Sequence, residues 1–266
     1  MTLLHSLPPD QPFTLLHAAI LGIVEGVTEF LPISSTAHLI LASKALGLGD
    51  SEFVKSFEII IQLGAILSVV VLYWSKFWRP EMFAKLVVAF LPTGLIGLTV
   101  YRVIKSYLLG NVTVVLVTLI VGGVVLIVFE RFTEPNEAAA DFSEITYRRA
   151  VLIGLFQSVA MIPGTSRAAA TIVGGSLIGV GKQTIVEFSF MLAVPTMLGA
   201  SALDLYKSHS ALSGHLATLG VGFVVSFVTA ILAIKSFISY IKKKDFAAFG
   251  WYRIALAVVY FFVFER

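Results

Sequence analysis

The stretch Glu25-Gly26-Val27-Thr28-Glu29-Phe30-Leu31-Pro32-Ile33-Ser34-Ser35-Thr36-Ala37-His38 sets two carboxylates, a run of three hydroxyls and an imidazole inside an otherwise apolar chain. Glu25 and Glu29 are spaced i, i+4, so on a helix both carboxylates leave one face and can converge on a single cation or proton. Pro32 breaks that helix. Ser34, Ser35 and Thr36 then form a hydroxyl-rich turn whose side chains and freed backbone N–H groups suit phosphate oxygens.

The surroundings set the class. Of 266 residues, 58% are hydrophobic and only 13% charged, with a mean hydropathy of +0.93, against roughly 45–50% apolar and 25% charged in soluble domains. The chain reads as an all-α integral membrane protein in one membrane domain. It has no cysteine, which excludes disulfides and thiolate metal sites. The net charge of +3 comes from basic residues scattered between apolar segments, so no nucleic-acid face is expected. Met1 to Phe13 carries no lysine or arginine ahead of an apolar run and does not read as a cleavable signal peptide.

A bilayer core of roughly 30 Å asks for about 20 apolar residues per helix. Six segments meet that test: Phe57 to Trp74, Phe83 to Val103, Val112 to Phe129, Glu187 to Leu205, Leu216 to Ile234 and the shorter Trp251 to Phe264. His17 to Leu46 and Arg149 to Gly179 are also apolar, but Pro32 and Pro163-Gly164 interrupt them. Each is expected to be a re-entrant hairpin that enters and leaves by one face, its irregular backbone lining a polar cavity.

The two broken segments resemble each other. Gly22, Glu25, Pro32 and Ser35 align with Gly154, Gln157, Pro163 and Ser166 if one residue is skipped before the proline, and Phe57-Glu58 aligns with Val186-Glu187. The chain thus divides into repeat one (14–131) and repeat two (146–266), each a hairpin plus three spans. Three spans is an odd number, so the repeats are expected to be inverted, with the hairpins meeting near the midplane.

Lys242, Lys243 and Lys244, with Lys235 and Arg253 nearby, mark their loop as cytoplasmic. The loop with Lys76, Arg79 and Lys85 falls on the same side, as do Arg131, Arg148 and Arg149, beside the acidic Glu130, Glu134, Glu137, Asp141 and Glu144. The first hairpin and both termini are then outside; Arg102 and Lys105 run against this rule.

The second turn reads Met161-Ile162-Pro163-Gly164-Thr165-Ser166-Arg167, followed by Ala168, Ala169, Ala170 and Thr171. Gly164 permits tight backbone geometry, Thr165 and Ser166 present hydroxyls, and Arg167 offers a planar donor fork for phosphate. An arginine deep in an apolar segment has to face a water-filled cavity or an anion. Pairing the turns brings Arg167 towards Glu25, Glu29, Ser35 and His38, a set suited to cleaving a phosphoanhydride.

These motifs, with Phe57-Glu58-Ile-Ile-Ile-Gln62-Leu-Gly64 and Glu187-Phe-Ser-Phe-Met-Leu-Ala-Val-Pro195, resemble the undecaprenyl-pyrophosphate phosphatase family of bacterial membranes, the bacitracin-resistance proteins. The resemblance covers nearly the whole chain. It implies hydrolysis of the C55 isoprenyl diphosphate to monophosphate and phosphate with a divalent cation, recycling the lipid carrier of cell-wall synthesis in the inner membrane. The family's acidic pair falls on Glu25 and Glu29, expected to hold Mg²⁺ or Ca²⁺, its serine on Ser35, its histidine on His38 and its arginine on Arg167. His38, Ser35 and water all remain open as the attacking group. Ser34, Thr36, Gly164, Thr165, Ser166 and Thr171 are expected to touch substrate. Two departures stand out: Ala168 and Ala169 replace the family's serine and glycine, and Ala37 replaces a glycine.

Simpler roles compete for the lesser residues. Ser34, Thr36, Ser166 and Thr171 also suit hydrogen bonds to a broken helix's own backbone. Glu187 suits a helix-start charge, and His17, His209 and His215 suit the membrane interface. The small residues of Val173 to Gly181 suit close helix packing. At the level of function the alternative is a lipid-phosphate transporter or flippase, alone or combined with the phosphatase, because inverted repeats around a midplane site also serve alternating access. The partners expected are the isoprenyl diphosphate and membrane lipid, and a homodimer is compatible with this reading.

Overall fold

The computed structural model describes residues 12–49, 51–103, 107–108, 111–132, 140–208 and 215–265, without the side chains of 101–103, 202–208 and 265. Residues 1–11, Lys105, Glu134, Glu137, His209 and the Arg102 side chain, all invoked above, lie outside the described residues.

The helix starts have local causes. Thr14 caps α1 (Leu15–Thr28) by accepting from the His17 amide while His17 Nδ1 accepts from the Thr14 amide, so His17 closes a capping box. Pro32 would collide with the carbonyl four residues back, and α1 accordingly stops at Thr28. The chain re-enters α2 (Ser35–Ala45), then runs through α3 (Glu52–Leu72), α4 (Trp74–Phe77), α5 (Pro80–Val103) and α6 (Val112–Arg131). The second half repeats the pattern: α7 (Tyr147–Ser158), a 3₁₀ turn and the Pro163 loop, α8 (Arg167–Leu177), α9 (Lys182–Ser208), α10 (Leu216–Ile241) and α11 (Ala247–Tyr260).

Among the described residues six helices are long and apolar enough to cross a membrane: α3, α5, α6, α9, α10 and α11, the last reaching 18 residues only with the π-helical turn that continues it to Phe264. α1, at 14 residues, is about 21 Å long at 1.5 Å per residue and falls short of a bilayer core; α2, α7 and α8 are shorter still. The expected six spans and two broken segments are therefore present. Their boundaries move outward: α3 starts at Glu52, α9 at Lys182 and α11 at Ala247, and α10 continues to Ile241.

Small residues let the helices approach closely. α1 lies on α10 where Gly22 and Gly26 meet Gly222, Ser226 and Thr229, and α7 lies on α5 where Gly154 meets the Ala89 backbone. α6 and α11 meet through Gly123 and Gly250. Gly174 sits against Phe156 and Gly175 against Ile185, as the small-residue stripe predicts. α9 is the axis of the bundle, with Phe188, Phe190, Met191 and Leu192 fully buried against α3, α5 and α8.

The helix ends sort into two groups. At one end Lys76 pairs with Glu187 at 2.6 Å, Lys182 pairs with Glu130 and donates to the Lys244 carbonyl, and Glu144 accepts from the Gly181 amide. Glu187 thus lies inside α9 as an ion-pair partner and is not the charge that starts the helix. Trp74, Trp78 and Trp251 are exposed towards this same end. At the other end Phe13, Phe53, Phe57 and His215 form an aromatic cluster. Arg253 belongs to neither group: it is fully buried in α11 and is withdrawn as an orientation marker.

A Cβ on Gly22 would sit 2.8 Å from the Gly222 carbonyl oxygen. Gly22→Val is expected to destabilise the protein by about 1–3 kcal/mol through overpacking of α1 on α10. The measurement is the thermal unfolding midpoint in detergent, compared with Gly220→Ala, where a Cβ meets nothing within 4 Å.

Candidate active site

Both turns that break the helices, at Pro32 and at Pro163-Gly164, end on a serine in the same unusual conformation. Ser34 (φ 72°) caps α2 by accepting from the Ala37 amide, and Ser166 (φ 77°) caps α8 by accepting from the Ala169 amide. They are the two non-glycine residues with positive φ among the described residues. Such backbone costs about 1–3 kcal/mol and persists where its surroundings enforce it. Counted from these caps, Ser34 matches Ser166 and Ser35 matches Arg167. The one-residue skip that aligned Ser35 with Ser166 is therefore corrected, and Pro32 and Pro163 are not equivalent positions.

That register puts Ser35 and Arg167 at the first position of their helices, and both reach one carboxylate. Arg167 Nη2 donates to Glu29 Oε1 at 3.0 Å, and the Ser35 hydroxyl donates to Glu29 Oε2. Arg167 Nη1 donates to the Ser189 carbonyl at 2.7 Å, which leaves its buried Nε without a partner. Behind Glu29, Glu25 is fully buried and both its carboxylate oxygens lack a hydrogen-bond partner. Its charged neighbours are Glu29, Glu58 and Arg167.

A cavity of about 260 Å³ opens between the turns. Glu29, Ser34, Ser35 and Thr36 line it from the first, and Gly164, Ser166 and Arg167 from the second. Gln62, Thr93, Gln157 and Thr196 form polar walls, and Met197 and Ala200 carry the rim towards the C-terminal end of α9. Gly164 (φ 89°) lies where a Cβ would strike the Thr118 hydroxyl, so glycine is required there on two counts.

Four expected site residues lie off this cavity: Glu25 behind Glu29, and His38, Thr165 and Thr171. His38 turns away: Nδ1–H donates to the Ser34 carbonyl at 2.7 Å and Nε2 accepts from the Tyr252 hydroxyl at 2.8 Å, with the two rings parallel. The Ser34 carbonyl requires a proton on Nδ1, so in the neutral ring Nε2 is the acceptor towards Tyr252. The Thr171 hydroxyl bonds the Arg167 and Ala168 carbonyls and Ser189. Thr165 lines a separate apolar groove with Val121, Phe156 and Val173.

The cation expected at Glu25 and Glu29 meets a donor set of the right chemistry. Two buried, unpartnered carboxylate oxygens are hard ligands that Mg²⁺ or Ca²⁺ would satisfy. Among the described residues no third acidic or histidine side chain joins them, so water and substrate oxygens would complete the shell.

Several contributors escaped the sequence reading. Ser189 and Tyr252 are ordinary-looking residues in apolar helices, and nothing local marks them. Arg253 did carry a signal: an arginine in the second turn of an apolar span needs an internal partner.

The profile described as Bacitracin resistance protein BacA matches residues 18–259. The chain belongs to this family. Relatives named undecaprenyl-diphosphatase include those of Aquifex aeolicus (47% identical, covering 93% of this chain and 98% of the relative), Sulfurihydrogenibium sp. (49%, 93% and 98%) and Bdellovibrio bacteriovorus (49%, 92% and 94%). The family match at 18–259 includes both turns.

Removing one partner of a buried ion pair costs about 3–5 kcal/mol because the other charge is left uncompensated. Arg167→Met is therefore expected to lower the unfolding midpoint more than Arg167→Met combined with Glu29→Gln. A calorimetric scan of both variants in detergent checks the order.

Proposed function

We propose that this protein hydrolyses undecaprenyl diphosphate to undecaprenyl phosphate and inorganic phosphate. The observation that carries the proposal is the Glu29 carboxylate held between Ser35 and Arg167, one from each turn, at the edge of a polar cavity inside a membrane bundle. It is supported by relatives that bear the name undecaprenyl-diphosphatase at 47–49% identity over nearly the whole chain. The cavity suits a diphosphate headgroup. At about 260 Å³ it lies at the small end of ligand pockets, so the isoprenyl chain extends outside it among the helices.

In this proposal the diphosphate lies against Arg167, whose unpaired Nε remains available to an anionic oxygen. Ser35 is the favoured nucleophile, because its hydroxyl already donates to Glu29, the arrangement of an oxygen nucleophile and its proton acceptor. Ser35 Oγ attacks the terminal phosphorus, its proton passes to Glu29, and the bridging P–O bond breaks to release the lipid monophosphate. Water then releases phosphate from the serine. His38, whose two ring nitrogens are engaged elsewhere, is assigned to holding the Ser34 turn. Glu25 and Glu29 would hold the divalent cation, which would supply charge neutralisation to the diphosphate when bound. Ser34, Thr36, Gly164 and Ser166 complete the headgroup wall.

We further infer an inverted repeat. Helix contacts exchange between the halves, α1 on α10 against α7 on α5, and the two strained serine caps occupy equivalent places. With the lysine-rich end cytoplasmic, both termini and the cavity mouth face outward across the inner membrane. Bacitracin resistance is assigned to it on the description of its family. The carrier alternative has no use for a serine poised on a carboxylate.

Phosphate release from a long-chain isoprenyl diphosphate by purified protein tests the assignment. Release is expected to need Mg²⁺ or Ca²⁺, to stop with chelator, and to fall at least about 100-fold in Ser35→Ala and Arg167→Ala, as for loss of a group that acts in the transition state. The same cations are expected to raise the unfolding midpoint of wild type but not of Glu25→Gln. Full release from Ser35→Ala would transfer the attack to water, and no release by folded wild type would favour the carrier.

A further inference from the structure

Among the described residues Arg253 is the largest side chain completely withdrawn from solvent, and its donors are taken up by main-chain carbonyls from three segments. Nη1 donates to Pro32 of the first turn at 3.3 Å and to Thr165 of the second at 3.0 Å. Nη2 donates to Gly164 of the second turn at 2.8 Å and to Thr118 of α6 at 3.0 Å, and Nε donates to Leu119 of α6 at 3.3 Å. Among the described residues no carboxylate lies within ion-pair distance of it.

The need for such a residue follows from the broken helices. Each interruption frees carbonyls that have no helical partner and that a bilayer cannot hydrate. In the second turn three consecutive carbonyls are covered in this way: Pro163 by the Thr118 hydroxyl at 2.7 Å, then Gly164 and Thr165 by Arg253. Pro32 in the first turn is covered by the same guanidinium. Arginine is the one side chain with five donors in a fixed plane; lysine has three on a single rotating nitrogen. α6 makes room for the plane at Gly122, where a Cβ would collide with the guanidinium.

We propose that Arg253 is a positioning residue that clasps the two re-entrant turns to each other and to α6, and so fixes Ser35 and Glu29 of one turn against Arg167 of the other. It touches no reacting atom. It acts through the register of the turns, whose serine caps hold the positive-φ conformation at the cavity edge. The neighbouring Tyr252 reinforces the first turn through His38 and Ser34, so α11 governs the site although none of its residues lines the cavity. This inference rests on the phosphatase reading for its catalytic consequence, but not for the clasp itself.

The test combines hydrogen exchange and kinetics on the full chain in detergent. The variants are Arg253→Lys, which keeps the charge and loses the planar fork, and Gly122→Ala, which keeps Arg253 and displaces it; Gly220→Ala is the control. Both variants are expected to exchange amides in 30–36 and in 162–168 at least tenfold faster, with α9 unchanged. They are expected to lower kcat tenfold or more while KM stays within threefold. Unchanged exchange in either turn would overturn the clasp, as would faster exchange spread over the whole bundle. A normal kcat, or a rise in KM alone, would overturn its positioning role. Wild type that releases no phosphate would count against the phosphatase reading, and the exchange measurement would still decide the clasp.

Discussion

The carboxylate of Glu29 is the point on which the structure turns. Its two oxygens are held by the first residues of two short helices, Ser35 of α2 and Arg167 of α8, which lie 132 residues apart in sequence. Neither helix spans a bilayer. Each ends inside the protein, where water does not serve its terminal groups, so the polar groups of the two ends must satisfy one another. An ion pair in such a place is costly to assemble and more costly to break, which ties the integrity of the site to the meeting of the two halves.

Much of this was legible in the chain. Six long apolar segments and two interrupted ones followed from the spacing of Pro32 and Pro163-Gly164, because a proline in an apolar run has few outcomes in a membrane. Glu25, Glu29 and Arg167 were legible for the same reason: an intramembrane charge needs a partner. Helix ends were less clear, since Glu52 and Lys182 start their helices in polar sequence before the apolar core, and Ala247 starts α11 in a short Ala-Ala-Phe-Gly stretch beside the lysine loop where hydropathy gives no sharp boundary. The register between the turns was misplaced by one residue because the prolines look equivalent, whereas backbone conformation makes the serine caps the matching points. His38 follows three hydroxyls in sequence, yet helical geometry sends its ring to Tyr252, 214 positions away.

Support for the site comes from helices that contribute little to its surface. α9 supplies Ser189, which holds Arg167, and α6 and α11 supply the donors that cover the exposed carbonyls of the turns. The cavity walls combine a cationic donor, hydroxyls and the Glu29 carboxylate, and behind Glu29 lie the two buried carboxylate oxygens of Glu25 that lack partners. That imbalance has physical content: the buried polar groups left unmatched among the described residues include the Arg167 Nε–H, complementary to an anion, and the Glu25 carboxylate and the Gln157 carbonyl oxygen of the cavity wall, complementary to a cation or a donor.

The central claim is that the two turns jointly form one diphosphate site. Its most direct test is an experimental structure with a non-hydrolysable isoprenyl diphosphonate and Mg²⁺ or Ca²⁺. The account predicts phosphonate oxygens on Arg167 Nε and beside Ser35, a cation on Glu25, and the isoprenyl chain leaving the cavity between helices. A diphosphonate bound elsewhere in the bundle, or held by one turn with Arg167 still closed on Glu29 and no cation at Glu25, would contradict it.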